Sequence, residues 1–343
     1  MKYTMTTTDI FTEKIETEEA ISLVKTTFEK QLRKSLNLYR VSAPMIVLKG
    51  TGINDDLNGV ERAAQFPVKD LKDHPAEVVQ SLAKWKRLRL AEYQISPGTG
   101  ILTDMRALRP DEDFSPIHSI YVDQWDWEVA MDPEQRKISY LKDTVRKIYA
   151  SIKATESQIA IQYPEKSAVL PDEITFLHSE ELLQMFPDKS PKERENLAAK
   201  KFGAYFLMGI GGSLSHGEPH DGRAPDYDDW SSPGENGLEG LNGDIIFWNP
   251  VLGSAFEISS MGIRVDASTL ERQLSLTGKE ERRSLFYHQQ LLQDKVPQSI
   301  GGGIGQSRLC MFLLKKRHIG EVQVSVWPES LRREYASNGI HLL

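Results

Sequence analysis

The sequence predicts an α+β protein built on a largely antiparallel sheet. Its candidate elements open helix–strand and then run through strands and helices mixed. No regular strand–helix–strand alternation appears, which argues against a doubly wound parallel fold. The 343 residues are 39% hydrophobic and 27% charged, ordinary for a globular chain, and long enough to bury a full core. Cys310 is the only cysteine, so neither an internal disulfide framework nor a multi-thiolate metal site can form. With 42 Lys+Arg against 49 Asp+Glu the formal net charge is −7, which speaks against a general nucleic-acid binder. No apolar run reaches the roughly 18 residues of a membrane span. The opening MKYTMTTTDIFTEKIE lacks the apolar core of a secretory signal, so no membrane partner and a cytoplasmic setting are expected.

Residues 1–16 read as a short polar arm. Ala20, Val24, Phe28, Leu32 and Leu36 then recur every fourth residue behind Glu18 and Glu19, the stripe of a helix over 17–36 with an acidic first turn. VSAPMIVL (41–48) reads as a strand in which Pro44 marks an edge position or a break. Helices are expected at 139–162, 178–186, 190–201 and 279–294, and strands at 118–128, 204–210, 244–248, 255–265 and 321–327. The stretch 211–243 is rich in Gly, Pro, Asp and Ser. Irregular segments of that length inside a compact domain are usually functional or disordered.

Four clusters could carry chemistry. In LRPDEDFSPIHSIYVDQWDWE (108–128), strict alternation puts Tyr121, Trp125 and Trp127 on one strand face and Gln124, Asp126 and Glu128 on the other. That polar row reads either as the solvated side of a half-buried strand or as a hydrogen-bonding surface following Arg109, whose planar fork suits a phosphate or carboxylate. GDIIFWNPVLGSAFEISSMGIRVD (243–266) reads as a hairpin turning around Asn249–Ser254. Its Asp244 and Glu257 either hold Mg²⁺ with substrate phosphates or belong to ordinary cross-strand charge pairs. Glu257 and Arg264 can serve one site only if a bulge near Ser259–Gly262 offsets their spacing.

In SIGGGIGQSRLCMFLLKK (299–316), glycines precede a helical run with Arg308 in its first turn and Cys310 in its core. The glycines read as a flexible turn or as backbone approaching a flat or charged ligand. In GIGGSLSHGEPHDGRAPDYDDW (209–230), His216, His220 and Asp221 read as solvated turn residues in preference to metal ligands, and Asp226, Asp228 and Asp229 as the lining of a polar pocket. QSLAKWKRLRL (80–90) is a basic stretch that reads as a solvated helix face; Lys84 and Lys86 would share a face only if it were extended. NDDLNG (54–59) is a turn-like loop carrying Asp55 and Asp56.

Taken in order, these clusters resemble a known family. Pro44 with its preceding helix resembles the dimer-forming first motif of class II aminoacyl-tRNA synthetases. Arg109 with HSIYVDQWDWE resembles the second motif, and GGGIGQSRL the Gly-rich third with its closing arginine. FEISSMGIRVD and QSLAKWK resemble the aspartyl and asparaginyl branch. SLAKWKR, ALRPDED, VDQWDWE, RAPDYDDW, LNGD and GGGIGQSR together resemble the ammonia-dependent aspartate–ammonia ligases, over about 17–330. The resemblance implies one class II synthetase-like catalytic domain over 17–343 and a homodimer. It also implies synthesis of asparagine from aspartate, ammonia and ATP through β-aspartyl-AMP.

Carried over residue by residue, the resemblance gives Arg109 the α-phosphate and the carboxylate being activated, and Arg308 the outer phosphates near adenine. Asp244 and Glu257 take the Mg²⁺. Lys86 and Arg264 match residues that hold a side-chain carboxylate in the aspartyl synthetases. Here that carboxylate reacts, so the pair is expected to grip the α-carboxylate of an aspartate turned end for end. Gln124 and Asp126 take the α-ammonium, and Ser260 joins the substrate-binding set. Asp55 or Asp228 is expected to receive and deprotonate ammonium. The synthetases' Arg-x-Glu is here Arg109 followed by Pro110, Asp111 and Glu112, so either acidic residue could meet ATP. The pattern begins at Thr17 and its Gly-rich motif ends short of Leu343, so an anticodon-binding domain and tRNA are not expected. Residue 2 is Lys, not the cysteine a glutamine-hydrolysing enzyme would use.

Overall fold

The computed structural model describes residues 7–55, 57 and 61–343. Helix α1 spans Thr7–Leu36, so residues 7–16 of the expected arm are helical, while 1–6 lie outside the described residues. Residues 11–16 of these added turns have no buried side chain. They lie along the C-terminal segment instead, where Lys14 Nζ donates to the Leu342 carbonyl at 3.5 Å and Lys316 Nζ to Thr17 Oγ1 at 3.0 Å. The predicted stripe is buried, with Val24, Phe28 and Leu32 fully enclosed.

Of the expected strand at 41–48 only β2 (Ile46–Leu48) is a strand; β1 (Leu38–Arg40) precedes that stretch and belongs to the other sheet. Pro44 lies in the gap, where its missing N–H could not have joined a ladder. β3 (Gln65–Val68) and β4 (His74–Val78) complete a small antiparallel sheet in the order β2-β4-β3. Helix α2 (Ala83–Glu92) follows, and Lys84, Lys86 and Arg87 are buried on it. The expected solvated face is therefore overturned: Lys84 and Lys86 pair with carboxylates inside the molecule, and Arg87 donates to the Val265 and Pro297 carbonyls at 2.8 and 3.0 Å.

β5 (Gly100–Leu108) and β6 (Tyr121–Ala130) form an antiparallel pair, and the aromatic face of β6 buries as its alternation predicts. Trp125 and Trp127 are enclosed, with the Phe28 ring 4.6 Å from Trp125. Helix α3 (Ile138–Gln162) packs on α1. β7 (Thr175–His178), α4 (Ser179–Met185), α5 (Pro191–Phe202) and β8 (Ala204–Met208) follow. Ser190 caps α5 by accepting from the Glu193 N–H at 3.4 Å while Pro191 opens the first turn. The long irregular stretch then leads to the hairpin β9 (Asn242–Asn249) and β10 (Ser254–Ile263), helices α6 (Ala267–Leu276) and α7 (Phe286–Leu292), β11 (Ser299–Gly305), α8 (Gln306–Leu313) and α9 (Glu329–Ser337).

Among the described residues, eight strands form the main sheet in the order β1-β5-β6-β11-β10-β9-β8-β7. Its inner pairings are all antiparallel, and only the edge pairs β1–β5 and β7–β8 are parallel. This is the predicted α+β sheet flanked by helices. No helix among the described residues is long and apolar enough to cross a membrane.

Three expectations fail locally. The glycines at 301–303 form no turn; they are the middle of β11, at the centre of the sheet. The helix at 279–294 is split at the extended residue Leu285, between a 3-10 turn over Glu280–Ser284 and α7. Arg282, in that turn, reaches the buried Asp226 at 3.0 Å. The segment 321–327 pairs with no strand. Gln323 turns inward to receive the Ser119 hydroxyl at 2.6 Å and to donate to Ser307 at 3.1 Å, which leaves Val324 and Val326 exposed.

Candidate active site

The site begins with β6 and β11 side by side. Their register sets Gln124 opposite Gly305, Asp126 opposite Gly303 and Glu128 opposite Gly301. The glycines are required by space. A Cβ on Gly301 would overlap the Glu128 carboxylate and the Arg264 guanidinium, and one on Gly303 the Gln124 amide. Gly301→Ala is accordingly expected to destabilise the fold by roughly 1–3 kcal/mol through overpacking, read in urea melts, because the Glu128 carboxylate it would meet is fixed by Arg264 and Ser299.

Behind those glycines lies a charged cluster that is almost wholly buried. Lys86 Nζ, from α2, pairs with Asp126, lies 3.6 Å from Glu128 Oε2 and donates to the carbonyls of Trp127 at 2.8 Å and Gly302 at 3.1 Å. Arg264, just past β10, binds Glu128 at 2.8 Å on one side and Asp228 on the other. Ser299 Oγ adds a 2.7 Å bond to Glu128. Burial works to raise the Glu128 pKa, but Arg264 and Lys86 overcome it and hold the carboxyl below its ordinary range. At Asp228 burial prevails over Arg264 and the pKa is raised. Three carboxylates thus face two cations here, a balance that suits one further positive charge.

A cavity of about 610 Å³ opens in front of this cluster. Gln124, Ser260, Arg109, Arg308 and Glu257 line it, as the sequence leads one to expect of a substrate pocket. Arg109 Nη2 donates to the Gln80 carbonyl at 3.3 Å, while its buried Nε has no hydrogen-bond partner among the described residues. Arg308 Nη1 reaches the Glu257 carbonyl at 3.1 Å and its Oε2 at 3.4 Å. Of the two acidic residues after Arg109, Asp111 is taken by Arg62, and both line the cavity. His118 also lines it; burial, seconded by Arg308, lowers its pKa to about 4, so its ring is neutral at neutral pH.

Glu257 and Asp244 share a face of the hairpin. Glu257 pairs with Ile246, and a bulge between Glu257 and Ser259 then brings Ser260 opposite Asp244. The bulge reconciles Glu257 with Arg264 as required, slightly earlier in the strand than expected. One Asp244 oxygen is held by Arg223, and the other is buried with no hydrogen-bond partner among the described residues. Burial, with the charge on Glu257, pushes its carboxyl up to about 7 against the pull of Arg223. At Glu257 desolvation is outweighed by Arg308, Arg223 and Arg109, so its pKa is lowered. No group of three or more candidate ligands occurs among the described residues. Two carboxylates completed by phosphate and water oxygens nevertheless fit Mg²⁺, which is commonly bound in that way.

Sequence reasoning missed Arg223. It stands at the head of RAPDYDDW, and its only local signal was a lone arginine in a Gly-rich loop. Other expected site residues fall outside the large cavity: Lys86, Asp126, Arg264 and Asp228 lie in the buried cluster, while Asp244 lies beside the cavity, against its lining Arg223. Asp55 lines a second cavity of about 420 Å³. Its neighbour Asp56 lies outside the described residues. Asp226 and Asp229 are buried, as the reading of a polar lining suggests, but bind Lys84 and Arg136 respectively. His220 is bonded to Glu195 at 3.1 Å.

A family model described as aspartate–ammonia ligase matches residues 15–339. An aspartate–ammonia ligase of Parabacteroides distasonis is 55% identical over 328 residues, covering 96% of this chain and 95% of that protein. One of Clostridium perfringens is 53% identical with the same coverage. Among solved structures, an asparaginyl-tRNA synthetase from Entamoeba histolytica in complex with asparaginyl-adenylate is similar at a TM-score of 0.64 and 15% identity. That likeness covers 91% of this chain and 66% of the other. The Pyrococcus horikoshii asparaginyl-tRNA synthetase complexed with asparaginyl-adenylate gives 0.63 at 15% identity, over 91% and 70%. At such identities these structures speak for the fold alone, that of the class II synthetases.

Proposed function

The chain belongs to the aspartate–ammonia ligase family and makes asparagine from aspartate and ammonia with ATP; on that premise we propose that the large cavity is where aspartate is activated as β-aspartyl-AMP. The observation that carries this reading is the convergence of Arg109, Arg223 and Arg308 on one cavity in front of the buried charge cluster. Arg109 takes the α-phosphate and the reacting carboxylate, with its unpartnered Nε free to turn to either. Arg308 takes the outer phosphates beside adenine. Asp244 and Glu257 hold Mg²⁺, which when bound neutralises phosphate charge and stabilises the departing pyrophosphate. The α-ammonium goes to Gln124 and Asp126 beside Ser260, in keeping with the excess of carboxylates there. The α-carboxylate goes to Lys86 and Arg264, which must first give up part of their bonding to Asp126 and Asp228. Bound asparagine with its side-chain amide at Lys86 and Arg264 would overturn that orientation.

The β-carboxylate oxygen attacks the α-phosphorus and the bond to pyrophosphate breaks. Ammonium then gives one proton to Asp55, ammonia attacks the β-carbonyl carbon, and the carbon–oxygen bond to AMP breaks as the amide loses its second proton to solvent. Asp228 is the second candidate for the proton, though Arg264 already holds it. Asp55→Asn is expected to leave aspartate-dependent ATP–pyrophosphate exchange intact and slow asparagine formation by roughly 10²–10⁴-fold. Equal loss of both would remove Asp55 from the second step.

The apolar side chains of Tyr39, Met45, Ile46 and Phe66 are exposed around β1 to β3, which supports a homodimer joined through this motif. A cytoplasmic setting suits a chain whose single cysteine is buried and unpaired.

A further inference from the structure

We propose that Asp123, held by Lys25, is the positioning residue that fixes Arg308 for the outer phosphates of ATP. The proposal rests on the assignment of Arg308 to those phosphates. Arg308 stands in the first turn of α8, and among the described residues its side chain bonds only Glu257, at the carbonyl and at one carboxylate oxygen. Where the guanidinium reaches is therefore set by where that first turn lies. A Cβ added at Gly305 would come within 3.1 Å of the Arg308 Cβ, so the side-chain stem lies directly against the strand-to-helix junction.

That junction has no cap of its own. Gly305 occupies the N-cap position and offers no side chain, so the first backbone N–H groups of α8 depend on acceptors from elsewhere. Asp123, on β6, supplies one: its Oδ1 receives the Ser307 N–H at 2.9 Å. Two side-chain bonds steady the same turn, Gln306 Nε2 to Asp104 Oδ1 at 2.6 Å and Gln323 Nε2 to Ser307 Oγ at 3.1 Å. Among the described residues, Asp123 is the one side chain that holds its backbone.

The carboxylate needs a counter-charge. Asp123 is buried yet lines the large cavity, so left alone it would repel the phosphates that Arg308 attracts. Lys25, on α1, places its Nζ 3.0 Å from Asp123 Oδ2 without itself lining that cavity. Burial works to lower the Lys25 pKa, but Asp123, seconded by Cys310, outweighs it and the ammonium stays charged. The pair joins residues 98 positions apart and ties α1 to α8. One oxygen of Asp123 caps the helix of Arg308, and the other is neutralised from outside the cavity.

Initial rates at saturating aspartate and ammonium test this chain of contacts. Asp123→Ala removes the acceptor for Ser307 and should raise the KM for ATP roughly tenfold, the weight of one lost helix cap passed on to Arg308. Lys25→Met leaves Asp123 uncompensated and should raise the KM for ATP roughly fivefold, with the KM for aspartate within about twofold of the parent. Lys25→Met combined with Asp123→Asn should bring the KM for ATP back to within about twofold of the parent. In that pair the amide oxygen still accepts from Ser307 and the unpaired charge is gone. A KM for ATP within about twofold of the parent in either Asp123→Ala or Lys25→Met overturns the proposal, as does a double variant that fails to recover. Equal rises in the KM for ATP and for aspartate overturn it too, because they mark a general loosening of the fold. Lys25 is half-buried, so should Asp123→Ala fail to fold, Lys25→Met and the double variant decide. Arg308→Ala separates the two assignments. An unchanged KM for ATP there removes Arg308 from the phosphates, and the proposal with it. A raised KM in Arg308→Ala beside a parental one in Asp123→Ala or Lys25→Met overturns the role of Asp123 alone.

Discussion

Arg109→Ala is expected to slow aspartate-dependent ATP–pyrophosphate exchange by roughly 10²–10³-fold, the cost of removing one preorganised donor from a developing charge. Arg109 stands at the cavity wall with a buried Nε that no described residue satisfies, and among the described residues its side chain bonds only the Gln80 carbonyl, at 3.3 Å. Losing that bond costs little, so the thermal midpoint should stay close to that of the parent. The two readouts separate a residue that serves chemistry from one that serves the fold. Arg109→Lys should recover only part of the rate, because an ammonium is a point charge and cannot span two oxygens as a guanidinium does. Exchange at the parental rate in Arg109→Ala would exclude Arg109 from the first step.

Arg264→Leu is expected to cost roughly 3–5 kcal/mol of stability, read in urea melts, because it leaves buried carboxylates uncompensated. Glu128 is wholly buried and takes three of its bonds from this guanidinium; Asp228, also buried, takes another. The effect has a sign in pH. In the parent, Arg264 and Lys86 hold the folded-state pKa of Glu128 below its ordinary value of about 4.3, so the contribution is present above that pH and is lost as pH falls. Without Arg264, burial prevails and the folded-state pKa rises above the ordinary value. Stability of the variant should then decline as pH rises from about 5 to 8, where the parent shows no such loss. Adding Glu128→Gln should return part of the stability, since the two sites share one interaction. A pH-independent deficit in Arg264→Leu would count against the account given for Glu128.

How far the site could be read in advance follows from what each residue depends on. The β6 alternation depends only on strand geometry, so Trp125 and Trp127 could be assigned inward and Gln124, Asp126 and Glu128 to one row. The bulge was demanded by the spacing of Glu257 and Arg264 and is present. The glycines at 301–303 were ambiguous because their role lies on the next strand: they leave room for Gln124 and Glu128. Lys84 and Lys86 carry no local sign of burial, since their partners Asp226 and Asp126 lie 142 and 40 residues away. Arg223 escaped notice for the same reason, its partner being Asp244 on β9.

What the sequence determined by itself was the class of fold, the α1 stripe, the faces of β6 and the motif order that marks the family. Each is a matter of local period or residue identity. Only the tertiary structure decided that Lys86, Arg264, Asp126, Glu128 and Asp228 form one buried cluster, that Arg223 meets Asp244, and that Asp55 lies in a cavity of its own. The physical reason is register. A strand's own pattern assigns its side chains to two faces, but which charges meet across the sheet depends on how distant strands are aligned, and that alignment is set by packing of the whole chain.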